Sequence, residues 1–201
     1  MEHGKGDDVR LRAMSLALAA IFVPPLSCKP PAPASPVLNP RRDGPIPPGR
    51  ASIVVSKSAR RLTLFVEGQE VFAARAALGR SAGGHKEREG DRRTPEGDYY
   101  VCTRNDRSRY RRFLGLSYPN LRDAEAGFKA GRITRAQRDA IAEAVRGRRR
   151  PPWDTPLGGE VGIHGSGSGR DWTLGCVAVD DPDIDVLWKA CPLGTPVRIV
   201  P

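Results

Sequence analysis

The chain has 201 residues, room for one domain of ordinary size plus flanking segments. Its 39% apolar and 28% charged residues suit a modest core, and 19 prolines with 22 glycines imply many turns and a stretch outside that core. A net charge of +10 attracts polyanions (nucleic acid, acidic lipid, cell wall) without choosing among them, while three histidines and the lack of a C-x-x-C pair argue against a metal centre.

The first expected element is an export signal over 1–28. Arg10 and Arg12 precede the apolar run Ala13–Val23, whose eleven residues suit a signal core. A membrane-spanning helix needs ~20. Leu26-Ser27-Cys28 resembles the bacterial lipoprotein cleavage site, making Cys28 a candidate lipidated N-terminus and membrane anchor. Pro25 departs from that motif, and Asp7 and Asp8 depart from a signal's basic start. A plain tail with a short apolar patch is the alternative. Residues 29–50 are Pro-rich and read as an extended tether. A periplasmic or envelope location follows as the expectation, with the folded domain over 51–201.

From Ala51 the apolar pattern has a period of two. Ile53–Val55, Leu62–Val66 and Val71–Ala73 read as strands, the last two joined by a turn at Glu67-Gly68-Gln69. Gly97–Arg104 is a further strand. Residues 121–148 read as helical: Thr134 and Gln137 form a T-x-x-Q capping box, and Ala136, Ala140, Ile141, Ala144 and Val145 make an apolar stripe. Gly147 ends it, before the basic run Arg148-Arg149-Arg150. Val161–Ile163, Val177–Val179 and Pro196–Val200 complete the strands. The expected fold class is mainly β, a sandwich or barrel with a helical insertion against one edge.

Residues 163–179, IHGSGSGRDWTLGCVAV, place a Gly- and Ser-rich loop between two strand pieces. Either this loop brings the His164 imidazole beside the Cys176 thiol, or it is an ordinary hairpin with a buried cysteine. Phosphate-loop signatures fail. Gly79–Lys86 (GRSAGGHK) lacks the G-x-x-x-x-G-K-[ST] spacing, and Arg170 fills the third glycine position after Gly165 and Gly167. No helix-turn-helix or aromatic RNA-binding motif accompanies Arg148–Arg150, so nucleic acid is not expected as a partner.

His164-Gly165, a loop, then Thr173-Leu174-Gly175-Cys176-Val177 resembles the signature of the L,D-transpeptidase (YkuD) family, H-x followed by [ST]-H-G-C-[IV]-R. Leu78-Gly79 with Arg93-Thr94-Pro95-Glu96-Gly97 resembles the family's G…TP-x-G segment. Phe113–Asn120 and Leu157–Gly165 resemble its short-loop branch with a helical insertion, and Gly194–Val197 its closing strand. The resemblance runs in order over about 51–201. Leu174 and Ala178 depart from it, standing where the family usually has His and Arg.

The resemblance implies a YkuD-like β fold with Cys176 beside a groove for peptidoglycan stem peptides, and no metal or organic cofactor. Transfer would join the third-position carbonyl of one stem to the side-chain amine of another, releasing the donor's terminal D-amino acid. Cys176 is the expected nucleophile, held with His164 as a thiolate–imidazolium pair, and His164 the general base and acid. Gly175 is expected to turn the backbone so that nearby N–H groups face the oxyanion. Thr173 would orient His164 or the substrate carbonyl, and Asp171 is a candidate third member of a triad, although the resemblance points to a backbone carbonyl there. Trp172 and Tyr118 are groove walls or core. The basic run at the end of the insertion is expected on the acceptor side. Whether Cys102 and Cys191 pair stays open, as does the oligomeric state. The alternatives are a hydrolase on the same fold and a wall-binding module without turnover.

Overall fold

A computed structural model describes Met1 and residues 50–201. The expected signal segment, the Cys28 anchor and tether residues 29–49 lie outside the described residues. From Ala51 the period-two pattern becomes an antiparallel meander of β1 (Ala51–Ser56), β2 (Arg61–Val66) and β3 (Gln69–Arg75). Glu67 and Gly68, at φ 49° and 77°, make the two-residue turn whose twist matches the strands it joins.

β4 (Gly97–Ser108) and β5 (Arg111–Leu116) form a second hairpin, and β6 (Gly162–His164), β7 (Val177–Ala178) and β8 (Pro196–Val200) complete a sheet of eight strands in the order β3-β2-β1-β8-β4-β5-β6-β7. β4 serves two neighbours. Gly97–Tyr100 pair with β8, whereas the residues from Val101 onward pair with β5 through two register shifts. Such irregularities bend a strand, and the sheet curls into a half-barrel. Leu62, Leu64, Leu114, Ile163 and Val177 bury against Ile184 and Leu187 of α3 (Asp181–Ala190) in the main core.

The expected insertion is present as two helices, α1 (Leu121–Lys129) and α2 (Arg135–Arg146). The Thr134–Gln137 capping box forms with both reciprocal bonds, and Ile141 packs with Ala124, Ile133 and Leu157 in a small separate core. Sequence reading missed two elements, β5 and α3. Asp180 at the N-cap, a proline in the first turn, and Asp181 and Asp183 were the local signs of α3.

β6 and β7 run parallel, Ile163 opposite Val177 and His164 opposite Ala178, which removes the hairpin alternative. The loop between them is fastened rather than slack. Asp181 Oδ1 accepts from Ser166 N–H at 2.8 Å, Asp180 Oδ1 accepts from Ser168 N–H and Oγ–H at 3.0 Å each, and Trp172 Nε1–H donates to the Gly167 carbonyl at 3.0 Å. The start of α3 thus acts as the clamp. Gly165 is required there, because a Cβ would lie 2.4 Å from Asp181 Oδ1.

Candidate active site

Cys176 immediately precedes β7, in a corner held by two threonine hydroxyls. Thr173 Oγ1 donates to the Cys176 carbonyl at 2.8 Å and accepts from Gly175 N–H at 3.1 Å. Thr94, fully buried, accepts from Gly79 N–H at 2.9 Å and donates to the same Cys176 carbonyl at 3.5 Å. Gly175 adopts φ +139°, and a Cβ on it would lie 2.8 Å from the Arg93 carbonyl oxygen. The 92–94 segment presses on this turn, so only glycine fits. That segment is itself anchored from below: buried Lys57 donates to the Thr94 carbonyl at 3.1 Å and pairs with Glu96 at 2.6 Å.

The Cys176 thiol is half-buried on a cleft of about 1150 Å³ and donates to the Glu160 carbonyl at 3.5 Å. Desolvation pushes it up to about 11, against the pull of Gly162 N–H and the Lys86 ammonium. His164 lines the same cleft. Its register opposite Ala178, with Cys176 two positions before, puts both side chains on one face of the sheet.

The imidazole stacks on Tyr110 with centroids 4.5 Å apart and meets the edge of Trp172 at 5.5 Å. Its Nδ1 lies 2.7 Å from the Gly165 carbonyl. A carbonyl only accepts, so Nδ1 carries the proton and Nε2 keeps a basic lone pair. Burial holds His164 below its usual value, with the Gly165 carbonyl partly opposing. Burial thus works against the charged form of each partner, the thiolate on Cys176 and the imidazolium on His164.

Other expected roles are redistributed. Asp171 does not orient His164. It pairs with Arg60 at 2.8 Å and accepts from Leu78 N–H at 2.9 Å. Burial pulls its carboxyl up, but these partners outweigh burial and hold it below the usual range. The Gly165 carbonyl takes the orienting place. Thr173 holds the cysteine's backbone and not the imidazole, and its hydroxyl accepts from Gly175 N–H.

Trp172 lines the cleft, but Tyr118 is core, fully buried with its hydroxyl donating to the Leu157 carbonyl at 3.1 Å. Of the basic run only Arg150 reaches the cleft. Arg149 pairs with Glu143, and Arg148 donates to the Gly194 carbonyl. Leu174 stands 70% exposed on the cleft, whereas Ala178 is buried in a bridge with Ala77. Cys102 and Cys191 are free thiols, each pushed up to about 12 by burial. Sequence reading missed the bridging hydroxyl of Thr94, the Tyr110 stack and Lys86. Thr94 was visible only as part of a motif, with no sign of its partner.

A family model described as the L,D-transpeptidase catalytic domain (YkuD) matches residues 50–199. Among solved structures, the fold is similar to the helical cell shape determining protein Pgp2 of Campylobacter jejuni, with TM-score 0.51 and 21% identity over 75% of this chain and 47% of that one. Bd1075 of Bdellovibrio bacteriovorus gives 0.50 and 23% over 76% and 48%. An L,D-transpeptidase of Xylanimonas cellulosilytica gives 0.45 and 18% over 78% and 63%. The chain thus spans less than two thirds of each of these solved chains. A search of the curated proteins finds no match.

Proposed function

Because the chain belongs to the L,D-transpeptidase catalytic-domain (YkuD) family, we propose that it forms peptidoglycan cross-links through an acyl-enzyme on Cys176, with His164 as base and acid. The observation that carries this reading is the pair on one cleft: a half-buried thiol and an imidazole whose Nδ1–H is committed to the Gly165 carbonyl.

As Sγ attacks the third-position carbonyl carbon of the donor stem, its proton passes to His164 Nε2 and the carbonyl electron pair moves onto oxygen. Lys86 and Gly162 N–H, which favour the thiolate, assist this transfer. Collapse breaks the C–N bond, and the imidazolium gives its proton to the leaving nitrogen. The terminal D-amino acid departs and a thioester remains. An acceptor amine attacks that thioester, His164 takes its proton and returns it to the departing sulfur, and an amide cross-link forms.

The segment 1–28 and Cys28 complete the reading as an export signal and anchor that place the domain beside the polymer. The test is analysis of products after purified muropeptides are incubated with the full chain. Cross-linked dimers support transfer. Shortened monomers move the assignment to the hydrolase alternative, and unchanged muropeptides to the wall-binding one.

A further inference from the structure

We propose that the cleft selects its peptide by free carboxylates, read by arginines outside the His164–Cys176 motif; this rests on the stem-peptide reading of the same site. Arg80, Arg92, Arg107, Arg109 and Arg150 all line the cleft and are exposed. None of them makes an ion pair among the described residues. Away from the cleft, arginines are repeatedly matched: Arg60 with Asp171, Arg61 with Glu70, Arg111 with Asp185, Arg132 with Glu87, and Arg198 with Asp98. Against the cleft's guanidinium groups stand only two acidic lining residues, Glu89 and Glu160. Unmatched cation is thus concentrated where the substrate must lie.

These groups are also held in place. Arg109 stacks over Tyr110 at 4.8 Å and Arg150 over Trp153 at 5.0 Å, while Arg80 Nε donates to the Trp172 carbonyl at 3.1 Å. Stacking fixes a guanidinium plane and leaves its edge donors for a ligand, the geometry that takes a carboxylate through two parallel bonds. Arg92 sits at φ +57°, a left-handed conformation disfavoured for a residue with a side chain. Its carbonyl is wedged over Gly79, where a Cβ would come within 2.2 Å. The backbone strain fixes where this side chain leaves the loop.

Phosphate would also satisfy arginine, but the aromatic and apolar surface from Tyr110, Trp153, Trp172 and Leu174 lines the same cleft and suits a peptide. The consequence is discrimination against stems whose carboxylates are amidated.

Binding separates this selection from turnover. The full chain carrying Cys176→Ser is titrated with a fluorescent stem tetrapeptide bearing free carboxylates, and with the same peptide fully amidated. The expected result is about tenfold or more tighter binding of the free acid, a gap that narrows between about 50 mM and about 300 mM salt. Arg92→Gln combined with Arg107→Gln, both exposed positions, should shrink that gap. Equal affinity for the two peptides, binding of neither, a gap untouched by the arginine substitutions, or stronger competition from inorganic polyphosphate than from the unlabelled acid peptide would each overturn the proposal. A protein that fails here yet cross-links muropeptides loses only the carboxylate selection.

Discussion

The buried Thr94 hydroxyl lies 3.5 Å from the carbonyl oxygen of Cys176, joining residues 82 positions apart at the back of the candidate nucleophile. The Thr94 hydroxyl oxygen also accepts from Gly79 N–H. Thr94→Val keeps the shape and leaves that N–H buried without an acceptor, a loss of about 1–3 kcal/mol. Urea denaturation should show it, and acylation of Cys176 by a carbapenem, whose strained β-lactam amide stands in for the donor carbonyl, should slow, with Thr94→Ser restoring both. An unchanged denaturation midpoint would mean that the hydroxyl is idle.

Gly175 gives a sharper expectation, because the contact it avoids is with backbone. Gly175→Ala must accommodate both φ +139° and a carbonyl oxygen 2.8 Å from the new methyl. A conformation this sparsely populated costs on the order of 1–3 kcal/mol before the clash is counted. The thiol should shift and carbapenem acylation of Cys176 should fall at least about tenfold, since small misplacements of reacting atoms are costly. Wild-type acylation rates would contradict the close packing of 92–94 against the turn.

What could be read in advance follows from how local each signal is. β1 and β8 alternate because one face of each meets the core, and β2 turns Leu62 and Leu64 inward in the same period. β5 begins with Arg111-Arg112 and buries only its second half, which hides the period. α3 is short, with its inward Ile184 among four aspartates from 180 to 185 and Leu187 just beyond them, so no long stripe announces it. His164 and Cys176 were legible because one loop carries both. Asp171 misled for the same reason: nearness in sequence suggested His164, whereas the fastened loop turns it to Arg60, 111 positions away. The cleft's arginines come from separate segments, and only the curl of the sheet collects them.

Asp171 supplies a direct check of that correction. Asp171→Asn weakens the Arg60 pair and the Leu78 cap, so the denaturation midpoint should fall by an amount typical of a partly exposed charged contact, about 1 kcal/mol. The His164 titration, followed by NMR, should stay in place. A large displacement of that titration would restore Asp171 as a triad member.

Stability should be greatest between about pH 6.5 and about pH 8.5, the ordinary values of imidazole and thiol. His164 is held low in the folded chain, so its contribution is full above about pH 6.5 and is lost as acid protonates the unfolded form first. Cys176, Cys102 and Cys191 are held high, so their contribution is lost as pH rises and the unfolded thiols ionise first. Denaturation midpoints across pH 5 to 10 check both limbs. A wild-type profile flat on the acid side, or one that rises on the alkaline side, would contradict the burial of these groups.

The assignment of Cys176 as the acylated nucleophile is tested most directly by intact-protein mass spectrometry with peptide mapping after the full chain meets a carbapenem. One adduct per chain is expected, mapped to Cys176, absent from Cys176→Ala and greatly slowed in His164→Ala. An adduct on Cys28, Cys102 or Cys191 with Cys176 unmodified, or equal labelling of the wild type and Cys176→Ala, would contradict it.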